Sequence, residues 1–128
     1  MPVDRTKRIS GFNFEISVSG HAFNSDVSEK LGGGNLGPDP HDLLQAALAA
    51  CTAITMQMFA ERKKIPLISS DVKVRITQEG NENRILREIK LEGDLTDEQS
   101  KLLLSIAEKC PVHRFLARGS QIETHLIQ

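Results

Sequence analysis

The sequence predicts an α+β fold, with antiparallel strands around one long buried helix and a second, shorter helix. Three observations predict it. Several short segments alternate apolar and polar residues, the period of a half-buried strand. A stretch from Leu43 to Ala60 carries no charge and lies between strong helix-end signals. The order strand, long helix, strands, helix, strand is not the βαβ alternation of a doubly wound sheet. The 128 residues suit one domain, 1–128. A hydrophobic fraction of 39% fills a core with little surplus, so part of the apolar surface is expected at a subunit interface.

Taken in order, Phe12, Phe14, Ile16 and Val18 mark the first strand. LGGGNLGPDP, from Leu31 to Pro40, follows as a tight loop. It lacks both the Lys-Ser/Thr pair of a phosphate loop and the spaced glycines of a dinucleotide site. The long helix then starts with Asp39 as cap, Pro40 at the first position and Asp42 in the first turn. Arg62, Lys63 and Lys64 complement its far end as a solvated run, and Pro66 stops it. Its apolar residues fall on nearly every face, which predicts burial all round, either within sheet or against a second subunit. The AALAAC segment would let another backbone come close, and Met56 and Met58 read as core packing.

Val72, Val74 and Ile76, then Ile85, Ile89 and Leu91, predict two strands joined at Gly80-Asn81. Thr96 with Gln99 has capping-box spacing for the second helix, whose stripe is Leu103, Ile106, Ala107 and Cys110. Pro111 disfavours helix at Cys110, which places that cysteine at a break and at the N-cap of a short helix beginning with Pro111. Ile122, Thr124 and Leu126 predict a last strand.

Composition narrows the function. A net charge of -1 gives no basic field for nucleic acid and no polybasic anchor for a membrane. With no Trp or Tyr, base stacking and sugar platforms have little to build on. The start, MPVDRTKRIS, lacks the apolar run of a secretory signal. The uncharged helix would reach only about 27 Å, at the edge of spanning a bilayer, and Asp42 and Glu61 close it tightly. A buried soluble helix and a cytoplasmic location are therefore expected. In that reducing compartment two cysteines are more often redox-active or metal-binding than a permanent staple.

Cys51 lies deep in the first helix among alanines, far from the N-terminal dipole, so a reactive Cys51 needs a cation brought from elsewhere. Cys110 has a helix N-terminus, His113 and Arg114 close by. Three chemistries are open. Zinc binding by Cys51, Cys110, His113 and His41 has suitable ligand types but scattered positions. A Cys-His hydrolase would need His113 oriented towards a cysteine, and nothing marks an oxyanion hole. Thiol redox, in which a sulfenic acid on one cysteine condenses with the other, asks least of the sequence.

GPDPHDLLQAALAACTAITMQMFAERKKIPL, from Gly37 to Leu67, resembles the central helix segment of the osmotically inducible and organic hydroperoxide resistance (OsmC/Ohr-like) family. CPVHRFL, from Cys110 to Leu116, is similar to that family's second cysteine motif, and LEGDLTDEQSKLLLSIAEKCPVH matches in order and spacing. The resemblance implies an intertwined homodimer, with two long central helices enclosed by sheet and active sites at the subunit interface. It implies a peroxidatic Cys51, a resolving Cys110, and an organic hydroperoxide reduced to an alcohol. The disulfide would be reduced by a small dithiol, such as a lipoylated protein, and neither metal nor organic cofactor is implied. Peroxidase members place a glutamate after the proline that opens the first helix, where it holds an arginine over the thiolate. Here His41 and then Asp42 follow Pro40, and no arginine lies between Phe12 and Asp26. His41, Asp42, His113 and Arg114 are left as supporting candidates, with Arg5, Arg8 and Arg62 as further cations. The departure leaves a second expectation: a family member without efficient peroxidase activity, binding an apolar or thiol-reactive small molecule at the interface.

Overall fold

A computed structural model describes residues 3–127. The chain divides into two compact units between Gln45 and Ala46. The first holds a three-stranded antiparallel sheet in the order β1-β2-β3, formed by β1 (Val3–Ser10), β2 (Asn13–Val18) and β3 (His21–Ser25). β2 is the predicted alternating strand. β1 and β3 carry too few apolar residues to be read as strands from the sequence, and β1 is exposed along its whole length. Ser19 and Gly20 join β2 to β3 with φ of 49 and 80, the left-handed two-residue turn that matches strand twist.

After β3 the chain makes a short 3-10 turn at Glu29–Leu31 and then the expected tight loop. Asp26, 2% exposed, organises it. Its carboxylate accepts the backbone N–H groups of Val27, Gly34 and Leu36 at 2.7, 3.1 and 3.2 Å. Gly33 is required by space: a Cβ there would collide with the Val27 carbonyl oxygen and the Asp26 carboxylate.

α1 (Pro40–Arg62) starts as predicted. Asp39 accepts from the Asp42 N–H at 2.8 Å, and Asp42 accepts from the Asp39 N–H at 3.1 Å, a reciprocal cap. It ends in a Schellman turn. Ile65 N–H donates to Ala60 O and Lys64 N–H to Glu61 O, with Lys64 at φ 57. The single chain supplies part of the expected burial. Within the single chain only Leu48, Thr52, Met56 and Ala60 are buried, one stripe at four-residue spacing. Leu44, Ile54 and Met58 are 41%, 58% and 63% exposed, so Met58 lies outside the core that this one chain forms. By length and composition α1 is apolar enough to cross a membrane, and 22% of its most apolar window is buried.

The second unit continues from α1 into β4 (Leu67–Gln78) and β5 (Arg84–Gly93), the predicted hairpin, with Val72 opposite Ile89 and Val74 opposite Arg87. α2 (Asp97–Ala107) carries the capping box of Thr96 and Gln99, and α3 (Pro111–Arg118) has Cys110 as N-cap. Met56, Ala60, Ile65, Leu67, Leu103 and Ala107 form the core, with Val72, Ile89 and Leu91 against it. The strand expected at Ile122, Thr124 and Leu126 does not form. Residues 119–127 are irregular, and Ile122 and Leu126 are 88% and 92% exposed. Alternation supplies a strand's pattern but no neighbouring edge to pair with.

Candidate functional site

Both cysteines belong to the second unit and both are free thiols. Cys51 is partly buried on the flank of α1, and its sulfur lies 3.9 Å from the Thr55 hydroxyl, one turn on. Cys110 is fully buried. Pro111 forces extended backbone before it (ψ 144 at Cys110), which stops α2 and turns the cysteine into the cap of α3. Its sulfur accepts the His113 backbone N–H at 3.3 Å and lies 3.9 Å from Thr52 Oγ1. Thr52 follows Cys51 directly, so the buried thiol touches the residue next to the other cysteine.

Thr52 occupies a core-facing position of α1 and is itself fully buried. Its hydroxyl donates to Leu48 O at 2.7 Å, the back-bond that lets a threonine sit inside a helix. Its oxygen accepts from Arg87 Nη1 at 3.1 Å. The same Nη1 donates to Ala107 O at 3.4 Å, while Nη2 donates to His113 Nδ1 at 3.0 Å. A guanidinium only donates, so Nδ1 is the acceptor and carries no proton in this arrangement. The other ring nitrogen, Nε2, lies 3.7 Å from Glu108 Oε2. Among the described residues no ion pair reaches Arg87. A half-buried cation is thus held entirely by neutral acceptors.

Arg87 was not among the candidate cations of the sequence. The signal was there in phase rather than in motif. Ile85, Ile89 and Leu91 share one face of β5, and Arg87 is the charged residue with the same parity. Thr52 likewise interrupts the stripe of Leu48, Met56 and Ala60. Of the predicted residues, the structure gathers Cys110 and His113 with Thr52, which adjoins Cys51. Arg114 is exposed on α3. Arg62 sits over the Phe59 ring, 5.7 Å from its centroid. His41 and Asp42 belong to the first unit, with Asp42 engaged in the cap of α1. Arg5 and Arg8 are exposed on β1, where Arg8 Nε donates to Gly11 O at 2.9 Å.

A cavity of about 240 Å³ opens beside this cluster. Leu48, Ile85, Leu116 and Ala117 form its apolar wall, Arg87, His113 and Asn83 supply its polar groups, and neither cysteine lines it. Among the described residues no group of three His, Cys, Asp or Glu side chains is arranged to hold a metal ion. What the cluster can do chemically is hold the Cys110 sulfur between a backbone N–H donor and the Thr52 hydroxyl, with a cation one hydroxyl away.

Comparison with known proteins gives the family. None of the proteins with curated descriptions matches the chain in sequence. Solved structures match it in fold. A candidate osmotic-stress-induced and detoxification-response protein of Psychrobacter arcticus is 19% identical with a TM-score of 0.76, over 89% of this chain and 87% of that one. An OsmC-like protein of Mycoplasma pneumoniae is 19% identical at a TM-score of 0.70, over 82% and 79%. The organic hydroperoxide resistance protein OhrB of Bacillus subtilis is 22% identical at 0.60, over 90% of each. These identities speak to the α+β fold. The family model described as OsmC-like protein matches residues 32–125, most of the sequence and both cysteine segments, and the chain belongs to that family.

Proposed function

We propose that the protein is a thiol-dependent peroxidase that reduces organic hydroperoxides with Cys51 and Cys110. The observation that carries this reading is the contact of Cys110 with Thr52, the residue after Cys51, in a cluster that also holds Arg87. The family, whose fold-mates include a named hydroperoxide resistance protein, supports it. In the proposed cycle the Cys51 thiolate attacks the O–O bond. The sulfur takes one oxygen as a sulfenic acid, and the other leaves as an alkoxide that is protonated to the alcohol. Cys110 then attacks the Cys51 sulfur, forming the S–S bond and releasing water. A dithiol reductant, such as a lipoylated protein, restores both thiols by exchange.

The working form is proposed to be a cytoplasmic homodimer. Leu44, Ile54 and Met58 leave α1 with an apolar side that the chain itself does not cover. A second reading has a specific observation behind it. The cavity beside Arg87 is largely apolar and excludes both sulfurs, which suits binding of an apolar small molecule without turnover.

The test is titration of the reduced protein with cumene hydroperoxide and, separately, hydrogen peroxide, following free thiols and intact mass. Loss of both thiols to one intramolecular disulfide, faster with the organic peroxide and abolished by Cys51→Ser, is the expected result. Thiols that react no faster than a free cysteine would remove the peroxidase and leave the binding reading.

A further inference from the structure

The two sulfurs differ in what would meet a negative charge. Among the described residues the polar contact of Cys51 is a single hydroxyl, Thr55 Oγ1 at 3.9 Å. Around Cys110 are the His113 N–H at 3.3 Å and Thr52 Oγ1 at 3.9 Å, with Arg87 on that oxygen at 3.1 Å. The cation of the site therefore reaches the second thiol through one hydroxyl.

The hydrogen count at Thr52 fixes a direction. A hydroxyl has one hydrogen and two lone pairs. Here the hydrogen goes to Leu48 O and one lone pair to Arg87. What is left for Cys110 is the second lone pair, so the S–H is the donor in that contact. Once the thiol loses its proton, the hydroxyl can turn and give its hydrogen to the sulfur instead. Leu48 O keeps the helical N–H of Thr52, and Arg87 still holds the oxygen, so neither side is left unsatisfied. A thiol and a thiolate are thus both accommodated at Cys110 by rotation about one bond.

We propose that Thr52 and Arg87 are positioning residues for the second half of the cycle, holding Cys110 for attack on the Cys51 sulfenic acid, a role that rests on the two-thiol reading above. Cys110 gives up its proton, and its sulfur forms a bond to the Cys51 sulfur. The Cys51 S–O bond breaks, and the departing hydroxide is protonated to water. Cys110 is oxidised, the Cys51 sulfur is reduced from the sulfenic to the disulfide level, and no further reactant is consumed. Full burial of Cys110 suits this role. Its partner is a residue of the same chain, and no hydroperoxide has to reach it. Thr52 is also bonded through its backbone to Cys51, so the group that orients one sulfur moves with the other.

The test separates the two half-reactions. Reduced protein is mixed rapidly with cumene hydroperoxide and quenched into dimedone, and the Cys51 adduct and the disulfide are followed by mass. In the unaltered protein the disulfide is expected to follow the sulfenic acid closely. Thr52→Val, of nearly the same shape, and Arg87→Gln are expected to slow disulfide formation relative to sulfenic acid formation by about tenfold or more, so that the Cys51 adduct accumulates. Thr52→Ser is expected to restore the disulfide. Should Thr52→Val fail to fold, Arg87→Gln carries the measurement. Disulfide formation that keeps pace in the variants overturns the role, and so does a slowed first step with no accumulating adduct, which would assign Arg87 to Cys51. If the unaltered protein forms neither species, the peroxidase reading itself fails, a result that no comparison of variants could mimic.

Discussion

Asp26 in the first unit and Arg87 in the second are both charged groups withdrawn from water, and each is held by neutral partners. Asp26 is met by three backbone N–H groups of its own loop, from Val27, Gly34 and Leu36. Its contacts are local in sequence, and no other side chain takes part in them. Arg87 is met by Thr52 Oγ1, Ala107 O and His113 Nδ1, drawn from α1, α2 and α3. Those contacts are long-range, and all three partner residues also touch Cys110, Thr52 and His113 at its sulfur and Ala107 O at its backbone N–H. The difference separates a charge that shapes a loop from a charge that gathers the surroundings of a buried thiol. Removing the first should disturb structure near it; removing the second should disturb chemistry more than structure.

The largest effect is expected at Asp26. Asp26→Ala strips the acceptor from three amides at once, and buried N–H groups without partners are costly. Hydrogen exchange at Gly34 and Leu36 is expected to rise to the rate of an unstructured chain. Acid offers the same experiment without a mutation. Burial pushes the Asp26 carboxyl up, the three backbone N–H groups outweigh it, and the group lies below its ordinary value. A lowered carboxyl adds stability above its ordinary value of 3.8 and loses it as the pH falls through the folded value. Urea midpoints of the unaltered protein should therefore drop on the acid side of about pH 4, and the Asp26→Ala variant should drop less. Unchanged exchange at Gly34 and Leu36 in the variant would break the comparison on its structural side.

A smaller effect separates the two cysteines as structural residues. Cys110→Ala deletes the cap of α3 and leaves a small void, which is expected to cost about 1–2 kcal/mol. Cys51→Ala puts the best helix former into a partly exposed mid-helix position and is expected to change stability by less than about 0.5 kcal/mol. Urea unfolding of the two reduced variants, at unchanged slope, measures both. Equal losses would mean that the Cys110 sulfur is not seated as an N-cap.

How much of this was legible depends on whether the signal was local. The ends of α1, the capping box of α2, the hairpin of β4 and β5 and the N-cap role of Cys110 rest on neighbours in sequence, and each formed as predicted. β1 and β3 did not announce themselves, because VDRTKRIS and HAFNS are strands by pairing with β2 rather than by pattern. The alternation at Ile122 to Leu126 shows the converse, pattern without pairing. The family was legible from motifs, while Arg87 was not, since its partners are 20 to 35 residues away in sequence. Only its parity with Ile85 and Ile89 hinted that a charge pointed inward.

The smallest expected effect sharpens the Arg87 side of the comparison. His113 faces Glu108 with Nε2 at 3.7 Å, which invites an ion-pair reading. The Arg87 bond argues against one. A guanidinium donating to Nδ1 requires that nitrogen to be bare, and an imidazolium carries a proton on both nitrogens. The ring cannot be charged and still accept from Arg87, so Glu108 meets a neutral N–H rather than a cation. Glu108 is also mostly exposed, at 70%, where even a true ion pair is weak. Glu108→Gln is therefore expected to change stability by less than about 0.5 kcal/mol at neutral pH, with little dependence on salt. A clearly larger, salt-sensitive loss would show a charged ring. His113 would then repel Arg87 instead of holding it, and the cation nearest Cys110 would be the histidine.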